Sequence, residues 1–218
     1  MADLVPTQRT TLHRIPKRGS YDRALVDRIL DEALVGHAGF VVEGQPFVIP
    51  TTYARVGETL YVHGAAASRM LRAVGSGEPV CFTVTLLDGL VLARSAFHHS
   101  MNYRSVVVLG RARVVDDAAE KAAALDAIVE HVAPGRGREV RGPNAKELAA
   151  TVVVALPIEE ASAKVREGGP IDDEEDLALP CWAGHLPLAL SAGAAVTAEG
   201  VRPDAPRPDW LAAWSRSR

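Results

Sequence analysis

The run Gly39-Phe40-Val41-Val42-Glu43-Gly44-Gln45-Pro46-Phe47-Val48-Ile49-Pro50-Thr51-Thr52-Tyr53, followed by Thr59-Leu60-Tyr61-Val62-His63, decides the fold class. Residues 39–43, 46–53 and 59–63 are β-like, and they are separated only by Glu43-Gly44-Gln45 and Val56-Gly57-Glu58. Spacers this short and glycine-centred predict tight hairpins, so the sheet is antiparallel. Upstream, Ser20 or Asp22 is placed to cap a helix over about 22–34, with Leu25, Val26, Ile29, Leu30 and Ala33 as its apolar stripe and Gly36 beyond its end. Downstream, small residues 64–68 open a short helix through Arg69, Leu71 and Val74.

Strand character returns over 80–86 and 90–96, read as two strands joined at Leu87-Asp88-Gly89, and again over 103–115. Residues 118–131 predict a helix rich in Ala, Leu and Ile, and 144–150 a shorter one. The β-branched run 151–156 predicts a strand, continued by 162–166. Many short strands with few helices argue against a parallel doubly wound sheet. The expected class is mainly β (α+β): a closed or split antiparallel barrel with a few appended helices. Residues 1–19 read as an N-terminal arm, 20–168 as the barrel domain and 169–218 as a loop-rich tail packing on the barrel or on a dimer partner, the last carrying an acidic run at 172–176 and six prolines.

Charge and cysteine content narrow the function. There are 24 Lys plus Arg against 27 Asp plus Glu, a net charge of −3, which gives no basic field for nucleic acid. Cys81 and Cys181 lie too far apart in sequence for a disulfide framework or a paired metal-ligand spacing, so the expected setting is a reducing cytoplasm. No stretch approaches a membrane span, and no Walker loop, Gly-x-Ser-x-Gly or dinucleotide glycine fingerprint is present.

Two segments carry chemistry. In Tyr61-Val62-His63-Gly64-Ala65-Ala66-Ala67-Ser68-Arg69 a strand ends, small residues leave room for a ligand, and a helix begins where Ser68 and Arg69 can meet a phosphate. A bare Ser cap with a solvated Arg face fits the same residues. In Asn102-Tyr103-Arg104-Ser105-Val106 a polar cluster enters a strand, and alternation sends Tyr103 and Ser105 to one face and Arg104 to the other. Pro50 removes a ladder donor from its strand, pointing to an edge, a bulge or a bound ring. The adjacent His98 and His99 would diverge in extended chain and make a poor metal pair. Cys181 and His185 lack the orienting group of a nucleophilic site, and Trp182 either covers an apolar ligand or anchors the tail. No metal site is expected.

Taken together, Arg18-Gly19-Ser20-Tyr21-Asp22, Gln45-Pro46-Phe47-Val48-Ile49-Pro50, Tyr61-Val62-His63-Gly64-Ala65 with Ser68-Arg69, Asn102-Tyr103-Arg104-Ser105-Val106 and Trp182-Ala183-Gly184 resemble the pyridoxamine 5′-phosphate oxidase-like flavin-binding proteins, nearest the nitroimidazole-resistance branch. The resemblance spans about residues 14–190. It implies an FMN-binding split barrel, a homodimer with flavin at the subunit interface. Ser68 and Arg69 then fall at the FMN phosphate, and Tyr103, Arg104 and Ser105 on the strand completing that site. Ile49, Pro50 and Thr51 lie along the isoalloxazine, His63 lies near the flavin as a candidate proton donor, and Trp182 closes the pocket. The C-terminal Arg-x-His triplet of true pyridoxamine phosphate oxidases is absent, which argues against vitamin B6 oxidation. The expected activity is an FMN-dependent oxidoreductase taking electrons from NAD(P)H or another donor to a small acceptor such as a nitroaromatic. The competing readings are a non-catalytic flavin carrier or sensor, and a split barrel that takes haem or a deazaflavin instead.

Overall fold

In the computed structural model, residues 2–214 are described. Asp22 caps the first helix, α1 (Arg23–Glu32), by accepting hydrogen bonds from the N–H groups of Ala24 and Leu25. The helix buries Val26, Ile29 and Leu30, a three-to-four-residue spacing that puts one face on the core. The Tyr53 hydroxyl donates to the Leu30 carbonyl and fastens this helix to the barrel.

The strands follow as β1 (Gly19–Ser20), β2 (Val35–Val42), β3 (Gln45–Val56), β4 (Thr59–Ala65), β5 (Ser76–Leu92), β6 (Ser100–Val114), β7 (Thr151–Pro157), β8 (Glu160–Arg166) and β9 (Gly184–Pro187). Their order in the sheet is β1-β8-β6-β7-β4-β3-β2-β5-β9. An added β5–β6 pairing joins β6, β7, β4, β3, β2 and β5 into a closed antiparallel barrel. The fold is a split β-barrel with appended helices, as the sequence pattern predicts. Among the described residues no helix is long and apolar enough to cross a membrane.

The β2–β3 hairpin turns at Glu43 and Gly44, with φ of 50° and 78°, the two left-handed residues of a tight hairpin. Val42 faces Gln45 across this turn, so alternation puts Pro46 and Pro50 at positions that owe no N–H to β2. β4 pairs with β3 only from Tyr53 to Val56, so residues 45–52 present a free edge on the other side. The two prolines therefore sit on an edge, one of the settings their chemistry allows.

Helix α2 (Arg69–Val74) follows β4 and plugs one barrel end with Leu71 and Val74. Helix α3 (Ala118–Val132) lies on the outer side of the barrel, where Ala124 and Leu125 pack with Tyr61, Val153 and Ala155 in a satellite core. Two shorter helices follow, α4 (Ala145–Ala150), closed by an Asn144/Glu147 capping box, and α5 (Trp210–Ala213).

Two expectations are corrected. Leu87-Asp88-Gly89 is not a hairpin turn; it is a bulge inside the seventeen-residue β5, marked by a register shift opposite β6. A Cβ on Gly89 would stand 2.9 Å from the Leu186 carbonyl oxygen, so glycine there serves the approach of β9. Residues 160–166 do not continue β7 but form β8, which pairs with β6 along its length. Within the loop-rich tail, β9 takes up the edge of β5 from Gly89 to Leu92, beyond the point where β2 leaves it. The arm packs on its own chain through buried Leu4 and Thr10 and the 2.8 Å Arg9–Glu160 ion pair.

Candidate functional site

The Ser68 hydroxyl accepts from the Leu71 N–H at 3.3 Å and so caps α2, leaving its own O–H free to donate. With six residues, α2 is too short to bring a useful dipole, so any anion here must be held by side chains. Arg69 supplies one. Its guanidinium carbon lies 4.2 Å over the Phe47 ring of β3, which places Arg69 beside the free edge carrying Ile49 and Pro50. Ile49 turns inward against the core, while Pro50 is exposed on the outer side, so the two present different surfaces of the same edge. Thr51 is half-buried beside them.

His63 follows at the same end of β4, opposite Val153 of β7. It lines a cleft of about 490 Å³ between the sheet and α3, walled by Thr52, Leu125, Ile128, Val129 and Val132. Its Nδ1 is buried with no partner among the described residues, and burial pushes its pKa below the usual imidazole value. The neutral imidazole is the form that binds a soft or borderline metal ion, through one ring nitrogen, and Asp126 and Thr151 add polar groups to the cleft. The lowered pKa works against the proton-donor role expected of it, because the imidazolium is scarce at neutral pH.

Tyr103, Arg104 and Ser105 do not join this group. The Phe47–Phe40, Gly39–Cys81 and Val80–Gly110 pairings set Arg69 level with Gly110 on β6. Tyr103 is seven residues away, about 23 Å along the strand. Arg104 is turned inward, 4% exposed, and its fork is spent on Asp88 and Glu32 at 2.5 to 2.9 Å. These carboxylates hold its pKa above the usual arginine value. It is a structural cation, and the phosphate role expected of it fails on that ground. Tyr103 and Ser105 are half-buried on the opposite side of β6, as alternation predicts, with the Ser105 hydroxyl on the Lys164 carbonyl at 3.4 Å. Trp182 is 69% exposed and lies against Gly184, at the β9 end of the molecule rather than near Arg69.

The other candidates are occupied. His98 Nε2 meets Asp173 at 3.0 Å, and His99 Nδ1 meets the Ser95 carbonyl at 2.9 Å. The acidic run is not simply solvated, since Asp172 accepts from both the backbone and the side chain of Arg94. Phe47 and the α3 wall of the His63 cleft are the contributors that sequence reading missed. Phe47 read as ordinary strand body, and α3 lies far along the chain from His63.

Comparison with known proteins agrees with the fold. The flavocytochrome Anf3 of Azotobacter vinelandii is 41% identical, the match covering 97% of this chain and 98% of that one, with a TM-score of 0.90. A FAD- and heme-binding protein of Mycobacterium smegmatis is 38% identical over 91% of this chain and 97% of that one, with a TM-score of 0.86. A candidate 5-nitroimidazole antibiotic resistance protein of Bacteroides thetaiotaomicron shares the fold at 24% identity, covering 67% and 86% of the two chains with a TM-score of 0.57. No curated protein matches the chain. The family model for pyridoxamine 5′-phosphate oxidase matches residues 22–165. By that match and by its likeness to the first two structures, the chain belongs to the pyridoxamine 5′-phosphate oxidase family.

Proposed function

We propose that the protein is a redox carrier or oxidoreductase that holds a flavin phosphate at Arg69 and a haem against His63, and passes electrons from a reduced donor to a small acceptor. The observation that carries the two-cofactor reading is His63: a half-buried imidazole lining a mainly apolar cleft beneath α3. The similar proteins, one described as a flavocytochrome and one as binding FAD and heme, support the same pairing. FMN and FAD both carry the phosphate that Arg69 would take, and FMN is the simpler occupant.

The residues fit both groups. Arg69 has no hydrogen bond or ion pair among the described residues, so its donors await an anion. Ser68 adds an O–H, and the free edge of β3 adds the N–H of Val48, the outward position there that is neither proline nor beside β4. Bound flavin supplies hydride and single-electron chemistry, and bound haem supplies one-electron chemistry. Around them the chain's own residues would do the positioning: Leu125, Ile128 and Val132 of α3 would wall the haem beside His63, and Arg69 would hold the anion.

Tyr103 and Ser105 enter this reading only from a second copy of the chain. The outer side of β2, β3 and β5 supports such a homodimer, since Val35, Val41, Val48 and Leu87 are 44–65% exposed there. NAD(P)H as donor and a nitroaromatic as acceptor are the first pair to assay.

Flavin-free and haem-free protein titrated with hemin tests the reading. The expected result is a Soret band that saturates, disappears in His63→Ala and returns with added imidazole. An unchanged Soret band in His63→Ala would overturn the haem assignment. Parallel titration with FMN, FAD and riboflavin, following flavin fluorescence, is expected to favour the phosphate-bearing forms. Saturable binding without NAD(P)H oxidation would select the carrier over the enzyme.

A further inference from the structure

Arg69 differs from the other well-placed arginines of this molecule. Arg55, Arg94, Arg104 and Arg113 each lie on a carboxylate. Arg69 instead has its guanidinium carbon 4.2 Å over the centre of the Phe47 ring, with no ion pair among the described residues. Phe47 in turn is stacked on Phe40 at 5.6 Å and 18°, and Phe40 is 5% exposed, so the ring pair runs from the core to the surface. A guanidinium resting on an aromatic face keeps its N–H donors in its own plane, clear of the ring, and loses rotamer freedom before any anion arrives. Such preorganisation lowers the ordering penalty of binding.

We propose that Phe47 is a positioning residue for the anion site: seated on Phe40, it holds the Arg69 fork in place for a flavin phosphate without touching the phosphate itself. This rests on the phosphate role of Arg69 proposed above.

The test measures FMN and riboflavin affinity on the full chain for Phe47→Leu, Phe47→Trp, Arg69→Ala and the Phe47→Leu/Arg69→Ala double variant. Phe47→Leu is expected to weaken FMN about three- to fivefold, the size of an exposed cation–π contact, and to leave riboflavin unchanged. Phe47→Trp, which keeps a broad face, is expected to retain the FMN preference, and the double variant to bind FMN no more weakly than Arg69→Ala. Equal losses of FMN and riboflavin in Phe47→Leu would overturn the proposal, because Phe47 would then serve the flavin ring or the fold. An FMN preference intact in Phe47→Leu but lost in Arg69→Ala would also overturn it, while leaving the phosphate site standing. A preference unchanged in Arg69→Ala would remove the phosphate site itself. Should Phe47→Leu fail to fold by its urea transition, loss of FMN preference in a folded Phe47→Trp decides against the proposal.

Discussion

Arg104 and Arg69 sit in similar short polar segments, each next to a serine, and both read as phosphate ligands; in the structure they end in opposite states. Arg104 is buried between Glu32 and Asp88, its charge cancelled by two carboxylates drawn from α1 and the β5 bulge. Arg69 is exposed and rests on a ring, its charge uncancelled. The pair teaches that an arginine's availability is set by which distant carboxylates the fold delivers to it. Local motif and strand position say nothing about that.

The comparison breaks first at Arg104. Arg104→Ala leaves Glu32 and Asp88 close together without a cation, and urea unfolding is expected to show a loss of about 3–5 kcal/mol. Arg104→Met combined with Glu32→Gln and Asp88→Asn is expected to recover most of it, since a neutral cluster has no charge left to desolvate. A loss no larger than that of a surface pair would make the two arginines equivalent. Arg69→Ala is the converse: stability is expected to change by no more than about 0.5 kcal/mol, while FMN binding loses about 1.5–3 kcal/mol relative to riboflavin.

Acid titration sharpens the contrast at His63, whose buried Nδ1, like Arg69, has no hydrogen-bond partner among the described residues. Burial keeps its folded pKa below the unfolded value of 6.5, so in the window between them the unfolded chain binds a proton that the folded chain refuses. Stability is therefore expected to rise with pH up to about 6.5. His63→Gln should flatten that slope in chemical denaturation at a series of pH values. The smallest effect is that of salt. Raising ionic strength from 0.05 to 0.5 M, roughly a threefold shortening of the Debye length, is expected to weaken FMN at exposed Arg69 and barely to move the stability set by Arg104.

Much of the fold is legible because its signals are local. Asp22 precedes an apolar 3–4 spacing, Glu43-Gly44 lies between alternating strands, and Asn144 stands three residues before Glu147; each becomes the cap or turn its chemistry allows. Leu87-Asp88-Gly89 misleads because Asp-Gly is strong turn chemistry, whereas here Asp88 is placed for Arg104 and Gly89 for the approach of Leu186. Both partners are remote, so no window around residue 88 contains the reason. The site is legible to the same extent: Ser68, Arg69 and His63 sit at the end of β4 as spacing suggests, but the ring beneath Arg69 and the helix over His63 come from elsewhere in the chain.

The four-residue strand β9 has a consequence for solubility. Where β2 parts from β5 after Thr83, the far stretch of β5 would offer unpaired N–H and C=O groups to any passing chain, and residues 184–187 occupy them. Exposed strand borders of that kind seed end-to-end polymerisation. The proline-rich tail thus carries its own stopper, and a truncation before Gly184 is expected to produce concentration-dependent multimers in light scattering while the barrel remains folded.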